Sequence, residues 1–260
     1  MNSNLVSSPQ TNIHPRLSEV LARHQNHSDQ TPIAPFSHAI WPQVQAFVQR
    51  HSALILDLGC GTGESTENLA QRYPSSGVLG VDRSSVRLGK APKEISGRYL
   101  HLRGDQYDLL RLMRTGEVRA EKVYLLYPNP SPKAEHLKRR WHARPIWPTL
   151  LSVTHHIELR TNWSIYAEEF AFALQASGWT ALLEPVVIDA ANPALSLFEA
   201  KYARSGHALW RVVGKAPPEQ AKIKHPISTQ NIWRKKSAFI GNQIAHTSLL
   251  IPNKFTHHLK

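Results

Sequence analysis

Residues 53–65 read ALILDLGCGTGES, and this stretch decides the fold. Its first half is an unbroken apolar run ending in Asp57, the pattern of a strand buried on both faces of a parallel sheet. Glycines follow at 59, 61 and 63, and a helical pattern begins directly after them. Glycine lets a backbone turn tightly and approach a ligand with no Cβ in the way. The helix that follows presents free N–H groups to that ligand. A dinucleotide fingerprint, GxGxxG, would put its third glycine at position 64, where this chain has Glu64. A carboxylate there repels a pyrophosphate but tolerates a cationic sulfonium and ammonium. Two more acids close the next strands: Asp82 ends GVLGVD and Asp105 ends YLHLRGD. Asp82 is placed to accept from both ribose hydroxyls, and Asp105 from an adenine amino group. Asp57, Gly59, Gly61, Gly63, Asp82 and Asp105 are therefore the expected contacts of S-adenosylmethionine, with Cys60 a small buried residue of the loop.

Outward from this loop the pattern alternates strand and helix. Strands are expected at 53–58, 77–81, 99–102, 122–127, 155–160, 179–183 and 208–213, and helices at 63–72, 106–114, 138–151, 165–176 and 197–204. The helix at 138–151 should break at Pro145 or Pro148. Such alternation implies a doubly wound α/β fold with seven strands, mostly parallel. Three regions are expected: a polar N-terminal extension (1–38, loose over 1–14, with a short helix over 15–24 and a connecting loop over 25–38), a catalytic domain (39–215) and a basic tail (216–260).

Charge points to the partner. Lys and Arg number 31 against 19 acids, a formal +12. The tail alone has seven Lys/Arg against one acid, Glu219. Such a surface attracts polyanions, because each neutralised phosphate releases condensed counterions. Fifteen histidines form no HExxH or Cys/His array, so no metal is expected. No apolar run is long enough for a membrane span. One cysteine and a polar N-terminus without a signal-peptide pattern suggest the cytoplasm. A monomer is the expectation, the oligomeric state being otherwise open.

The segment after the fourth strand, YPNPSPKAEHLKRRWHARP, lies where open α/β sheets form their crevice. Three X-Pro steps, Tyr127-Pro128, Asn129-Pro130 and Ser131-Pro132, are expected to hold its start extended. Lys133, Lys138, Arg139, Arg140 and Arg144, with His136 and His142, then make a basic cluster interleaved with Trp141 and Trp147. Beside a predicted active site, this cluster reads as a phosphate-binding surface.

With DLGCGTGES, YLLYPNPSPKAEHLKRRW, ELRTNWSIYAEEF and SLFEAKYARSGHALWRVV in place over roughly residues 14–214, the chain resembles the bacterial tRNA (guanine-N7)-methyltransferases. The resemblance implies a class I, Rossmann-like methyltransferase that transfers a methyl group to N7 of a guanine in tRNA. It implies Asn129 as the residue at the methyl path and Lys133, Lys138, Arg139, Arg140, Asn162, Ser196 and Glu199 as substrate contacts. Glu199 would accept from the N1–H and amino group of guanine. The family usually has Asp at the position of Asn129, Trp at that of Ser131, Arg at that of Glu135 and Asp at that of Asn162. Two other readings are an amino-group methyltransferase acting on adenine or cytosine, since Asn129-Pro130 matches half of its motif, and a silent RNA-binding protein that keeps the fold.

Overall fold

In the computed structural model, which describes residues 3–25, 29–92 and 97–221, the 53–65 stretch holds the interior strand β1 (Leu54–Leu58), all five residues buried, followed by the glycine loop. The other strands are β2 (Gly77–Asp82), β3 (Tyr99–Arg103), β4 (Ala120–Leu126), β5 (Thr154–Thr161), β6 (Thr180–Pro185) and β7 (Trp210–Lys215). They form one sheet in the order β3-β2-β1-β4-β5-β7-β6. The first five run parallel, and β7 lies antiparallel between β5 and β6. From β1 the chain winds outward to β2 and β3, then returns to add β4 on the other side. Strand order therefore reverses between β1 and β4, where Asp57 pairs with Tyr124. A crevice opens at the carboxyl ends of the strands at such a switch point. It brings the glycine loop beside the turn that starts at Tyr127.

Ten α-helices flank the sheet among the described residues: α1 (Leu17–Gln25), α2 (Pro35–Ala39), α3 (Trp41–Val48), α4 (Glu64–Arg72), α5 (Ser85–Leu88), α6 (Gln106–Thr115), α7 (Trp147–Ser152), α8 (Ser164–Ala176), α9 (Leu197–Arg204) and α10 (Pro218–Ala221). The helix expected over 138–151 is replaced by two 3-10 turns, Ala134–Arg139 and Trp141–Ala143, followed by α7. Proline explains the break: Arg144, before Pro145, is extended at ψ 155°, and Pro148 sits in the first turn of α7. Three helices arise outside the expected ones (α2, α3 and α5), as does α10 in the region read as tail. The rest of that tail, from 222, lies outside the described residues.

The N-terminal extension is not loose over its described part. Leu17, Val20 and Leu21 of α1 enter the main core with Val44 and Phe47 of α3. Upstream of α1, the Ser3 N–H donates to Ser205 Oγ at 2.9 Å, Gln10 Nε2 to Glu169 Oε1 at 2.6 Å and the His14 N–H to the same oxygen at 2.9 Å. The last two bonds answer Glu169, on the buried side of α8, whose carboxylate needs donors once it leaves water. Arg140 and His142 supply two more. The extension and the sheet thus belong to one compact unit.

Burial alone would raise the pKa of Glu169, but donation from His142, Arg140 and the His14 N–H more than offsets this and holds it at about 2. A carboxylate depressed from its ordinary 4.5 stabilises the fold fully above that pH and progressively less as the pH falls toward 2. Glu169→Gln leaves the Arg140 charge uncompensated and should cost about 3–5 kcal/mol in urea denaturation near pH 7. The gap between wild type and variant should narrow as the pH falls from 4.5 toward 2; a gap independent of pH would show that the charge of Glu169 is not what holds the strap.

Candidate active site

At the carboxyl end of β1 the three glycines all take positive φ, 83° at Gly59, 60° at Gly61 and 84° at Gly63. The Gly59 and Cys60 N–H groups donate to the Val81 carbonyl, which fastens the loop to β2. A Cβ on Gly63 would meet the His101 ring at 2.6 Å, so this glycine serves close packing. A Cβ on Gly61 would meet nothing within 4 Å, so this glycine faces open space. Asp82 Oδ2 accepts from the Gly61 N–H at 3.0 Å, and its Oδ1 from the Ser84 N–H and from Arg87, both at 2.8 Å. Under the loop, Asp57 is 1% exposed. Its Oδ2 accepts from Ser65 and Thr66, while its buried Oδ1 has no partner. Burial outweighs the two hydroxyl donors, aided by the charge of Asp82, and raises the Asp57 pKa to about 6. An unpartnered carboxylate oxygen beneath an open glycine turn suits a ligand that is cationic at one end and carries a ribose.

Asp105 has a divided role. Its Oδ1 caps α6 by accepting from the Tyr107 and Asp108 N–H groups, while Oδ2 lies 3.3 Å from Arg83. Cys60 is buried, and burial first, then the charges of Asp57 and Asp82, push its thiol far up, so it is no nucleophile.

The turn after β4 departs from ordinary backbone twice: Tyr127 at φ 53° and Ser131 at φ 45°. Exposed Asn129 bends it by accepting the Ser131 N–H on Oδ1 at 3.1 Å. That assigns the carbonyl oxygen to the turn and turns the amide NH2 outward as a donor. Arg140 closes the turn from below, donating to the carbonyls of Ser131, Pro132 and Lys133 at 3.2, 3.5 and 3.3 Å.

Arg140 is the clearest correction to the phosphate-binding set. It is 1% exposed, paired with Glu169 and bonded to Gln10, because the 3-10 turn directs residues three apart, Leu137 and Arg140, to the same buried side. Lys133, Lys138 and Arg139 stay exposed. Of the interleaved groups, Trp141, Trp147 and His142 are core, not surface. His142 donates through Nε2 to the Glu169 carboxylate at 3.0 Å, and burial keeps the ring neutral by lowering its pKa.

Glu199 is the second correction. It is wholly buried, and its oxygens receive Arg160 Nη1 twice at 3.0 Å, the Tyr127 hydroxyl at 3.1 Å and the Leu195 N–H at 2.7 Å. Both acceptor atoms are occupied, so in this arrangement the carboxylate holds Tyr127 and leaves nothing for a guanine edge. Ser196 caps α9 by accepting the Glu199 N–H. Asn162, 6% exposed, contacts His207 Nδ1 at 3.0 Å beside a cavity of about 370 Å³ that Trp163 and Trp210 also line. A second cavity, about 600 Å³, separates residues 9–15 from Lys133–Glu135. Sequence reasoning placed Tyr127 at the crevice without a role of its own and missed Arg160 and Glu169. The signal for Arg160 was present: Glu158 and Arg160 share a face of β5, and Glu158 joins Arg160 to Lys122.

Residues 51–212 match a family described as "Putative methyltransferase". A tRNA (guanine-N(7)-)-methyltransferase of Dechloromonas aromatica is 30% identical over 177 residues, 65% of this chain and 71% of that protein. The chain belongs to the tRNA (guanine-N7)-methyltransferase family. A relative of the same name from Burkholderia cenocepacia is also 30% identical, over 66% of this chain and 70% of its own. The chain is thus a divergent methyltransferase of this family with S-adenosylmethionine as its cofactor. A solved 16S rRNA methyltransferase, KamB, shares the fold at 15% identity with a TM-score of 0.51, covering 74% of this chain and 99% of its own. An antibiotic-related methyltransferase does so at 16% and 0.50, over 68% and 94%. The seven-stranded sheet is accordingly the class I methyltransferase fold. Among the described residues no helix is long and apolar enough to cross a membrane.

Gly61→Val forces a side chain into a left-handed backbone and into the open space above the loop, where the cofactor is expected, and Asp82→Ala removes the acceptor beside it. Each should weaken S-adenosylmethionine binding at least about tenfold by calorimetry, since a hydrogen bond to a charged group is worth roughly 1.5–3 kcal/mol. Unchanged affinity in both folded variants would move the cofactor elsewhere.

Proposed function

We propose that this methyltransferase acts on N7 of a guanine in tRNA. The observation that carries this reading is that the glycine loop and the Asn129 turn, with the exposed cations Lys133, Lys138 and Arg139 that follow it, leave the carboxyl ends of the neighbouring strands β1 and β4. The relatives' names agree in substrate.

The chemistry asks little of the protein in proton transfer. S-adenosylmethionine supplies an electrophilic methyl group on a sulfonium. N7 of guanine brings a free lone pair and loses no proton, so the new C–N bond forms as the C–S bond breaks and the charges balance without a general base. Positioning then dominates the rate. Asn129 fits that task without a charge: its side-chain oxygen accepts the Ser131 N–H, a bond that Asp would make equally, so either residue would hold the turn and the base in place. The Tyr127 phenol stays protonated, pushed far up by burial and by Glu199, and acts as a fixed donor within the wall of the site. Lys133, Lys138 and Arg139 would hold the phosphates on either side of the base.

Incubation with labelled cofactor and unmodified tRNA, followed by digestion to nucleosides, should yield N7-methylguanosine; methylated adenosine or cytidine would replace this reading with amino-group methylation. In the same assay Asn129→Ala should lower kcat by about 10–100-fold through misplacement of the base, and Asn129→Asp should keep or raise it. Wild-type turnover in Asn129→Ala would remove this residue from the methyl path.

Binding should be salt-dependent. With Arg140 buried, only two members of the Lys138-Arg139-Arg140 triplet face solvent, so Lys138→Ala with Arg139→Ala should reduce the slope of log K against log[salt] by roughly 1–2 units. An unaltered slope would mean that neither side chain reaches a phosphate.

A further inference from the structure

Phe198 has no role in what precedes, yet its position is unusual. It lies in the first turn of α9, between the exposed Leu197 and the wholly buried Glu199. Its side chain is 51% exposed. One face lies nearly parallel to the Tyr202 ring, 23° apart in plane with centroids at 6.1 Å. Tyr202 in turn lies 5.4 Å from the ring of Tyr127, where the Asn129 turn begins. Three aromatic rings thus run from the crevice to the surface, and the outermost presents an open face among the described residues.

We infer that Phe198 is a stacking platform for an unpaired nucleobase of the RNA, next to the base that is methylated. The inference rests on the tRNA reading above. A flat, half-exposed ring backed by a second ring suits another π-face, and every base offers one. Lys201 adds a cation beside the stack, its Nζ 5.9 Å from the Tyr202 ring, where the phosphate of a stacked nucleotide needs one. The platform is also rigid before any ligand arrives. Ser196 caps the helix two residues before Phe198, and Glu199 is anchored by Arg160, Tyr127 and the Leu195 N–H. These anchors fix the backbone on both sides of Phe198. A base held there draws the strand out of its helical stack beside the methyl path, as single-stranded RNA recognition requires.

The test uses full-length protein and tRNA transcripts carrying 2-aminopurine immediately 5′ or 3′ of the methylated guanine. Wild type should quench the fluorescence of one of the two on binding. Phe198→Trp should retain the quenching. Phe198→Leu should lose it and bind RNA on the order of tenfold more weakly, while its affinity for S-adenosylmethionine, which reports an intact fold, stays unchanged. If wild type methylates guanine but Phe198→Leu quenches and binds as wild type does, the platform alone is overturned. If wild type methylates no RNA base, the substrate reading falls and the platform with it. Phe198-dependent self-association at unchanged RNA affinity would also overturn it, since the face would then bind a second copy of the chain.

Discussion

The buried guanidinium of Arg140 is the interaction on which the rest of the site depends. A planar cation in a nearly dry interior must fill its donors, and Arg140 does so with groups from three separate parts of the chain: carbonyls of the turn after β4, the Glu169 carboxylate on α8 and the Gln10 side chain in the N-terminal segment. Such a charge is costly to bury and costlier to leave unpaired. Its partners are therefore tied to one another, and the turn, the helix and the N-terminal segment share a single geometry.

A second charged network lies on the other side of the turn. Lys122, Glu158, Arg160 and Glu199 alternate in sign through contacts of 2.7–3.0 Å and end at the Tyr127 hydroxyl. The left-handed backbone at Tyr127 and Ser131 is a costly conformation for non-glycine residues. It persists because one network grips the first of them through its phenol and the other grips the second through its carbonyl. For a reaction governed by placement rather than proton transfer, rigid suspension of the turn at both ends is the relevant contribution of the protein.

The glycine loop and the sheet around it were legible because local rules govern them. An apolar strand, glycines at fixed spacing and a helix start are contiguous in sequence, and the alternation around them sets the sheet. The Asn129 turn and the basic segment after it were legible only as a neighbourhood. In LKRRW nothing in the residue types says which cation points inward, and that choice follows from a 3-10 turn the two prolines impose downstream. Ser196-Leu197-Phe198-Glu199 read as a substrate motif, whereas its serine caps a helix and its glutamate answers an arginine 39 residues away. Long-range partners of this kind leave no local periodicity. The polar N-terminus looked loose for the same reason: the carboxylate that holds it, Glu169, is far along the chain.

The way the turn is held has one more consequence. Arg140 binds it through main-chain carbonyls, which every amino acid possesses, so the path of the backbone is set independently of the side chains it displays. Asn129 contributes its own bond, but Ser131 and Glu135 stand where the family usually carries Trp and Arg without the guanidinium losing a partner. Shape and identity are thus uncoupled at this turn, and a lineage can alter the side chains it displays while the scaffold that carries them stays the same.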